Sequence, residues 1–546
     1  MLSGRASRRA GTRAPRGGGA PGWGRSLLTV GGWTLASRVL GFLRDVVLAG
    51  AFGAGAGADA FFVVFKIPNF LRRLFAEGAF AQAFVPVLAA WKEEGERRGE
   101  GRERVRELVA HASGALGAVL LLLTLLAVAG APWLVALFAP GFLGDPQRFP
   151  LAAEMLRLTF PYLPLISLTA LAGAVLNTYG RFAAPAAAPV LLNLCLIGAA
   201  LLLAPRLATP VEALAWGVLA AGLAQLLLQL PGLARLGLLA RPRLRWAHPG
   251  VQRILQLMLP AVLGSSVAQL NLLLDTVLAS FLAVGSVSWL YYSDRLVEFP
   301  LGVFGIALAT VLLPGLSRHQ ARGEEQAYRA ALDWALRWVL VVAVPATLGL
   351  AALAGPVLAT LFQHGAFGPA DVAMAARSLV AYALGLGGFI LVKVLAAAFH
   401  ARQDTRTPVR IALRALAANA ALNLLLILPL AHAGLALATS LASLLNAALL
   451  YRALRRQGLY RPLPGWGALL ARVALAGAAM AALLLAGTGP WEAWSSLAPL
   501  ERAWRLGLWI GAGALSYALV LLLAGLRPRH LARGLPAEGA ARDAGP

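Results

Sequence analysis

Cysteine and lysine are nearly missing from this 546-residue chain, and charge of either sign is scarce. The one cysteine, Cys195, lies in an apolar run, which excludes a disulfide framework and a thiolate metal cluster. It reads as a small buried hydrophobe. Lysine occurs three times, as Lys66, Lys92 and Lys393, and never after a glycine. That excludes a Walker A loop, and no H-E-x-x-H is present. Charged residues make up 13% of the chain, against about 25% in a typical soluble protein. With 59% hydrophobic residues and a mean hydropathy of +0.72, the chain has too little charge to solvate a soluble surface.

What the sequence has instead is length of apolar run. Segments long enough to cross a hydrocarbon core of about 30 Å fall near residues 29–50, 58–90, 107–129, 151–176, 184–204, 212–234, 254–281, 287–316, 330–355, 373–400, 408–429, 433–451, 466–487 and 504–526. The expected class is an all-α polytopic membrane protein with about 14 transmembrane helices. The net charge of +24 suggests nucleic acid, but the arginines sit in short connections on one side. Alternate connections are basic: Arg97, Arg98, Arg102, Arg104 and Arg106; Arg181; Arg241, Arg243 and Arg245; Arg318 and Arg322; Arg402 and Arg406; Arg452, Arg455 and Arg456. The connections between them carry few positive charges. This is the positive-inside pattern, which places both termini in the cytoplasm and excludes nucleic acid as partner. Residues 1–26, with six arginines and no acid, read as a disordered basic cytoplasmic tail, and 527–546 as a second tail. No small-residue cleavage site follows the first tail, and Arg38 interrupts the apolar stretch that a signal peptide would need.

The sequence also repeats. "FAEGAFAQAFVPVLAAW" parallels "FGIALATVLLPGLSRH", setting Pro86 against Pro314; "APWLVALFAPG" parallels "GPVLATLFQHG", setting Pro132 against Pro356; and Pro185 falls against Pro408. The offsets of 228, 224 and 223 residues drift only as loop insertions allow. Six spans per unit give both halves one orientation, so the expected plan is two parallel six-helix lobes, 27–235 and 252–455, with two further helices in 464–526. Such repeats place a substrate site at their interface near midplane.

Charges inside the apolar runs mark that interface. The first span holds Arg38, Arg44 and Asp45; the second Asp59, Lys66, Arg72, Arg73 and Glu77; the seventh Asp275; the eighth Asp294, Arg295 and Glu298. A charge at mid-bilayer costs at least about 2.5 kcal/mol, so these groups must face water or one another. Arg73 and Glu77 are spaced to pair on one helix, and pairing alone could absorb most of the rest. Their concentration at the start of each repeat points to a cavity. Guanidinium groups bind phosphate oxygens in bidentate fashion, so buried arginines suit a pyrophosphate.

"SRVLGFLRD", "GAGADAFFVVFKIPNFLRRLFAEGAFAQAFVPVL" and "YYSDRLVEFPLGVFGIALATVLLPGLS" closely resemble the MurJ/MviN lipid II flippases of the MOP transporter superfamily, over about residues 26–526. The resemblance implies an alternating-access flippase of the bacterial cytoplasmic (inner) membrane. Its substrate would be lipid II, the undecaprenyl-pyrophosphate-linked disaccharide-pentapeptide, carried outward for cell-wall synthesis. It implies a monomer among membrane lipids, working beside the peptidoglycan synthesis machinery. Carried onto this sequence, the substrate-binding residues are Arg38, Arg44, Asp45, Arg72 and Arg295. Asp59 and Glu298 are functionally sensitive positions, and Glu77 belongs to a gate. The family's sodium site maps to Asp275, Asn419, Asn423 and Thr439. Here the sequence departs from the pattern, because Asn423 stands where a second carboxylate can occur and Asp275 is left as the single anionic ligand. A polar pair joining helices fits Asn419 and Asn423 as well.

Other functions fit less well. A MATE-like exporter or an O-antigen-type flippase shares the superfamily, but a cationic drug does not call for arginines. A membrane enzyme would need activated carboxylates or a metal at a membrane face, whereas the outer acids Asp145, Glu212, Asp371, Glu492 and Glu501 stand singly. A scaffold without transport would need no charges buried along the repeat interface. The chain is therefore expected not to be an enzyme and to use no cofactor beyond a sodium ion.

Overall fold

A computed structural model describes residues 23–73 and 80–526. Glu77, most of the first tail and the second tail lie outside the described residues. Every element among those described is helical. The first half comprises α1 (Trp23–Phe52), α2 (Ala56–Arg72), α3 (Phe80–Arg98), α4 (Gly101–Ala129), α5 (Ala131–Phe138), α6 (Arg148–Thr159), α7 (Tyr162–Thr178), α8 (Ala183–Gly198) and α9 (Glu212–Arg235). The second comprises α10 (Pro249–Ser280), α11 (Ser286–Pro300), α12 (Ile306–Ala321), α13 (Glu325–Ala352), α14 (Ala354–Leu361), α15 (Pro369–Ala383), α16 (Leu386–Ala401) and α17 (Arg406–Arg456). The chain continues through α18 (Trp466–Thr488), α19 (Glu492–Ser495) and α20 (Pro499–Leu523).

Ten helices among the described residues are long and apolar enough to cross a membrane. One of them, α17, holds two of the expected segments in 51 residues, bent after Pro429 where Ala431 leaves helical geometry at φ 48°. A proline within a helix removes a backbone donor and bends it. α1 and α10, at 30 and 32 residues, also have the length to cross. On α17, Leu424, Leu425 and Leu428 are 63, 69 and 89% exposed, a surface that suits hydrocarbon rather than water.

The repeat read from sequence reappears in local structure. Pro86 and Pro314 lie inside α3 and α12. Pro132 and Pro356 lie in α5 and α14, each a helix of 8 residues following a long one. Helices α1, α7, α8 and α9 pack on one another, as do α2 with α6 and α3 with α4, forming a first bundle. A second forms from α11–α13 and α15–α17. The α18–α20 pair packs on α13 and α14 of that second bundle.

Two buried side chains fasten this pair. Near the arginine-rich end, Asp333 of α13 accepts hydrogen bonds from Tyr460 Oη, the Leu463 amide, Trp466 Nε1 and Arg337 Nε. At the opposite end, Arg502 of α20 donates to the carbonyls of Leu497, Ala359, Gln363 and Ser495.

Candidate functional site: the seam between the bundles

Arg44 lies eight residues before α1 ends at Phe52 (52 − 44 = 8), and Arg295 nine after α11 begins at Ser286 (295 − 286 = 9). At 1.5 Å per residue both sit about 12–14 Å from the arginine-poor end, near mid-depth of a 30 Å core. The two bundles bring them together through Asp45. Arg44 Nε and Nη2 donate to Asp45 Oδ1 at 3.0 and 2.6 Å. Arg295 Nε stands 3.7 Å from Asp45 Oδ2, and its Nη1 donates to Glu298 at 2.6 Å. Tyr291 closes the group: its hydroxyl donates to Asp45 Oδ1 and accepts from Arg44 Nη2, both at 2.9 Å. Phe62 stacks on the Tyr291 ring at 3.9 Å, and the Arg295 guanidinium lies 4.9 Å from that ring's centre.

Two cations and two carboxylates balance here, which is how a low-dielectric seam tolerates them. Their accessibility differs. Arg44 and Asp45 are 7% and 2% exposed. Arg44 Nη1 donates to Asn193 Oδ1 of α8, whose amide in turn donates to the Ser37 carbonyl. The Arg295 side chain keeps 36% exposure. Of the two arginines, Arg295 is thus the more accessible, and Arg44 is held behind Tyr291 and Asn193.

Arg38 is exposed, and a Cβ on Gly302 would come within 2.7 Å of its Nη1. Gly302 belongs to the π-helical turn Leu301–Gly305 that follows Pro300, so the irregular part of the eighth span lets the guanidinium lie against bare backbone. Arg72 is placed elsewhere. Its Nε donates to Asn69 Oδ1 at 3.2 Å, and it lines a cavity of about 700 Å³ inside the first bundle. The second bundle has an apolar groove of about 610 Å³ between α13, α16 and α18, walled by leucine, valine, Tyr451 and Trp466.

At the arginine-poor end the seam is shut. Asp59 of α2, fully buried, accepts from the Gly285 and Ser288 amides at 2.7 and 2.9 Å and from Ser288 Oγ at 2.6 Å. It thus caps α11 from the other bundle, where the helix dipole favours a carboxylate. Gly285 has φ 96°, and a Cβ there would lie 2.8 Å from the Ala54 carbonyl, so only glycine fits. Arg148 stands 3.9 Å from Asp59 and donates to the Leu282 carbonyl, and Asp145 holds its Nε at 2.6 Å. Amide donors from Arg148 and Gln147 hold the Asp145 carboxyl, in its surface loop, below the ordinary carboxylate range. Ala366 donates to the Gly50 carbonyl and Gly141 to Ser280 Oγ across the same end.

Asp275 of α10 gathers the remaining expected residues. Asn423 Nδ2 donates to its Oδ1 at 2.8 Å and Thr439 Oγ1 to its Oδ2 at 3.3 Å. Asn419 bonds both Asn423 and Thr439. The buried Asn423 Oδ1 has no partner among the described residues. The donor set is all oxygen, with one carboxylate, and it fits a hard cation once the Asn423 amide turns. Lys66 of α2 bonds the neighbouring Thr276 at 3.2 Å, tying this cluster to the first bundle.

The sequence reading missed Asn193 and Tyr291. Neutral polar residues in apolar runs raise no charge alarm, and the one available signal, the spacing of Tyr291 four residues before Arg295 on one helical face, was not used.

A family model described as lipid II flippase MurJ matches residues 48–499. A probable lipid II flippase MurJ of Vibrio cholerae is 48% identical over 514 residues, covering 93% of this chain and 97% of that protein. The lipid II flippase MurJ of Burkholderia cenocepacia is 46% identical over 488 residues, covering 88% and 93%. Among solved structures, a lipid II flippase MurJ in an inward closed conformation matches with TM-score 0.75 at 25% identity, covering 90% of this chain and 98% of that one. An inward-facing MATE family transporter of the MOP superfamily matches with TM-score 0.63 at 13% identity, covering 78% and 95%, and shares the fold alone. This multi-pass membrane chain belongs to the lipid II flippase MurJ family.

Proposed function

We propose that this chain moves lipid II from the inner to the outer leaflet of the bacterial cytoplasmic membrane by alternating access, with both termini cytoplasmic. The observation that carries the reading is the cross-bundle group of Arg44, Asp45, Tyr291 and Arg295, set at mid-depth and supplied by both bundles. A pyrophosphate entering from the arginine-rich side exchanges for Asp45 and Glu298 as the guanidinium partner. Arg–phosphate bonds replace Arg–carboxylate bonds, so the exchange is close to balanced. Release of Asp59 from α11 then opens the far end.

The apolar groove beside α18 gives an isoprenoid tail a place outside the polar seam. No bond is made or broken in this cycle, so the chain works as a transporter, not an enzyme, and as a single chain beside the peptidoglycan synthesis machinery. The membrane potential supplies direction: an anion moved outward gains about 2.3 kcal/mol per charge per 100 mV. A sodium ion held by Asp275, Asn419, Asn423 and Thr439 would neutralise the carboxylate and tie α10 to both arms of α17.

Complementation of a conditionally flippase-depleted bacterium tests the reading, with outer-leaflet accessibility of lipid II as readout. Growth rescue with lipid II exposed outside is expected. Abundant, inserted protein without exposed lipid II defeats the proposal.

A further inference from the structure

Away from the seam, at the arginine-rich end, three side chains of metal-ligand type meet that the transport cycle does not use. Glu107 and His111 stand one turn apart on α4, and His248 closes the connection 236–248 that leads from α9 into α10. One nitrogen of each histidine and a Glu107 oxygen lie within 4.8 Å of one another. His248 Nε2 stands 3.8 Å from Glu107 Oε1, and the two imidazole rings are 4.7 Å apart between centres. His111 and His248 are 7% and 4% exposed, whereas the Glu107 side chain is 50% exposed and leaves a way in from water.

These separations suit a shared ion. Ligand atoms around a tetrahedral zinc lie about 3.4 Å apart, from metal–ligand bonds of about 2.0–2.2 Å, so the group needs only a small contraction. His111 Nδ1 sits 3.2 Å from the Arg243 carbonyl, which can only accept. In the neutral ring that nitrogen carries the proton, and Nε2 keeps its lone pair. A carbonyl on the far nitrogen is a common way to orient a metal-bound histidine. The scaffold is fixed too: the Arg243 amide donates to the Ala110 carbonyl at 2.9 Å, and a Cβ on Gly114 would run into the Arg243 carbonyl, so the connection lies close on α4. His248 is held differently. Its Nδ1 accepts from the Gly250 amide at 3.2 Å as the N-cap of α10. Ligation through Nε2 moves the ring proton to Nδ1 and gives up that bond in exchange for one to the metal. Burial, with His111 and Arg245 nearby, holds His248 below the ordinary imidazole range against the pull of Glu107, so it meets an ion neutral. Two imidazoles with one carboxylate select a transition ion over Mg²⁺ or Ca²⁺, which take oxygen.

We propose that Glu107, His111 and His248 form a site for a divalent transition-metal ion of the zinc class, with water as the fourth ligand. The bound ion fastens the connection between the bundles to α4 of the first.

The test uses full-length, tag-free protein in lipid nanodiscs, stripped with chelator and titrated with Zn²⁺, and with Mg²⁺ for comparison. Zinc retained per chain and thermal unfolding are read. One Zn²⁺ per chain is expected, with a higher unfolding temperature that Mg²⁺ does not give. His111→Gln and His248→Gln should each weaken zinc binding about a hundredfold, and Glu107→Gln about tenfold. Unfolding without zinc checks integrity, and if a histidine variant fails to fold, Glu107→Gln on its half-exposed side chain decides. Zinc held equally by the wild type and the folded variants marks adventitious binding elsewhere and overturns the proposal. A folded wild type that retains no zinc overturns it too.

Discussion

The seam between the bundles is held in different ways at mid-depth and at the arginine-poor end. At mid-depth it is held by charge, with Arg44 and Arg295 sharing Asp45 and with a side chain left partly open to water. At the arginine-poor end it is held mainly by backbone donors, with amides of α11 aimed at the fully buried Asp59 and with Ala366 bonded to Gly50. Charge partners can be exchanged for an anionic ligand without losing bonds. Backbone contacts cannot be exchanged and can only be broken. The proposed function accordingly assigns substrate recognition to the mid-depth group and conformational locking to the buried end.

The largest effect that sharpens this comparison is expected at the mid-depth group. Arg295→Ala should abolish flipping at normal membrane abundance, since each charge-assisted bond to phosphate is worth about 1.5–3 kcal/mol. Arg295→Lys should restore only part, because an ammonium lacks the guanidinium fork. Outer-leaflet lipid II per unit of membrane protein is the measurement.

Next in size is the lock. Asp59→Ala leaves the α11 amides without an acceptor, and loss of such a cap costs about 0.5–2 kcal/mol. Opening at that end should rise about tenfold. A cysteine placed at Ser286, which is 1% exposed, reports this in a Cys195→Ala background by faster labelling from outside. Unchanged labelling would mean that the lock lies elsewhere along the end.

The ion cluster should matter less. With one carboxylate, Asp275→Ala is expected to slow flipping by less than tenfold where the potential dominates, a size consistent with losing the bonds from Asn423 and Thr439. Complete loss would assign the ion a larger part. The smallest effect on transport is expected from Asp333→Ala. It removes the common acceptor of Tyr460, Leu463, Trp466 and Arg337. It should lower thermal stability by about 3 kcal/mol while leaving flipping per folded molecule close to normal.

The legible part of this protein was the part where the bilayer sets a high cost. Intramembrane charges stand out, so Arg44, Asp45 and Arg295 were flagged on the first and eighth spans; the family resemblance put them in one site, and the structure joins them through Asp45. Regular proline offsets made the repeat visible, and α5 and α14 carry it as matched short helices. Partners that cost nothing were invisible. Tyr291 and Asn193 are neutral, and the N–H groups that hold Asp59 belong to backbone at Gly285 and Ser288, 226 and 229 residues away. Arg72 shares the arginine signature of the seam yet lines the first bundle's cavity, since a sequence gives the helix of a charge and not the space it faces.

In the proposed cycle Arg44 serves the substrate and not only its neighbour Asp45, although in the closed seam its bonds go to Asp45, Asn193 and Tyr291. The direct measurement is lipid II flipping by the double variant Arg44→Ala with Asp45→Ala, set against Arg44→Ala alone and normalised to protein in the membrane. Removing both members of an ion pair leaves no orphan charge, so a purely structural pair would regain function. The double variant is expected to stay inactive while remaining inserted and abundant. Recovery of flipping would contradict it.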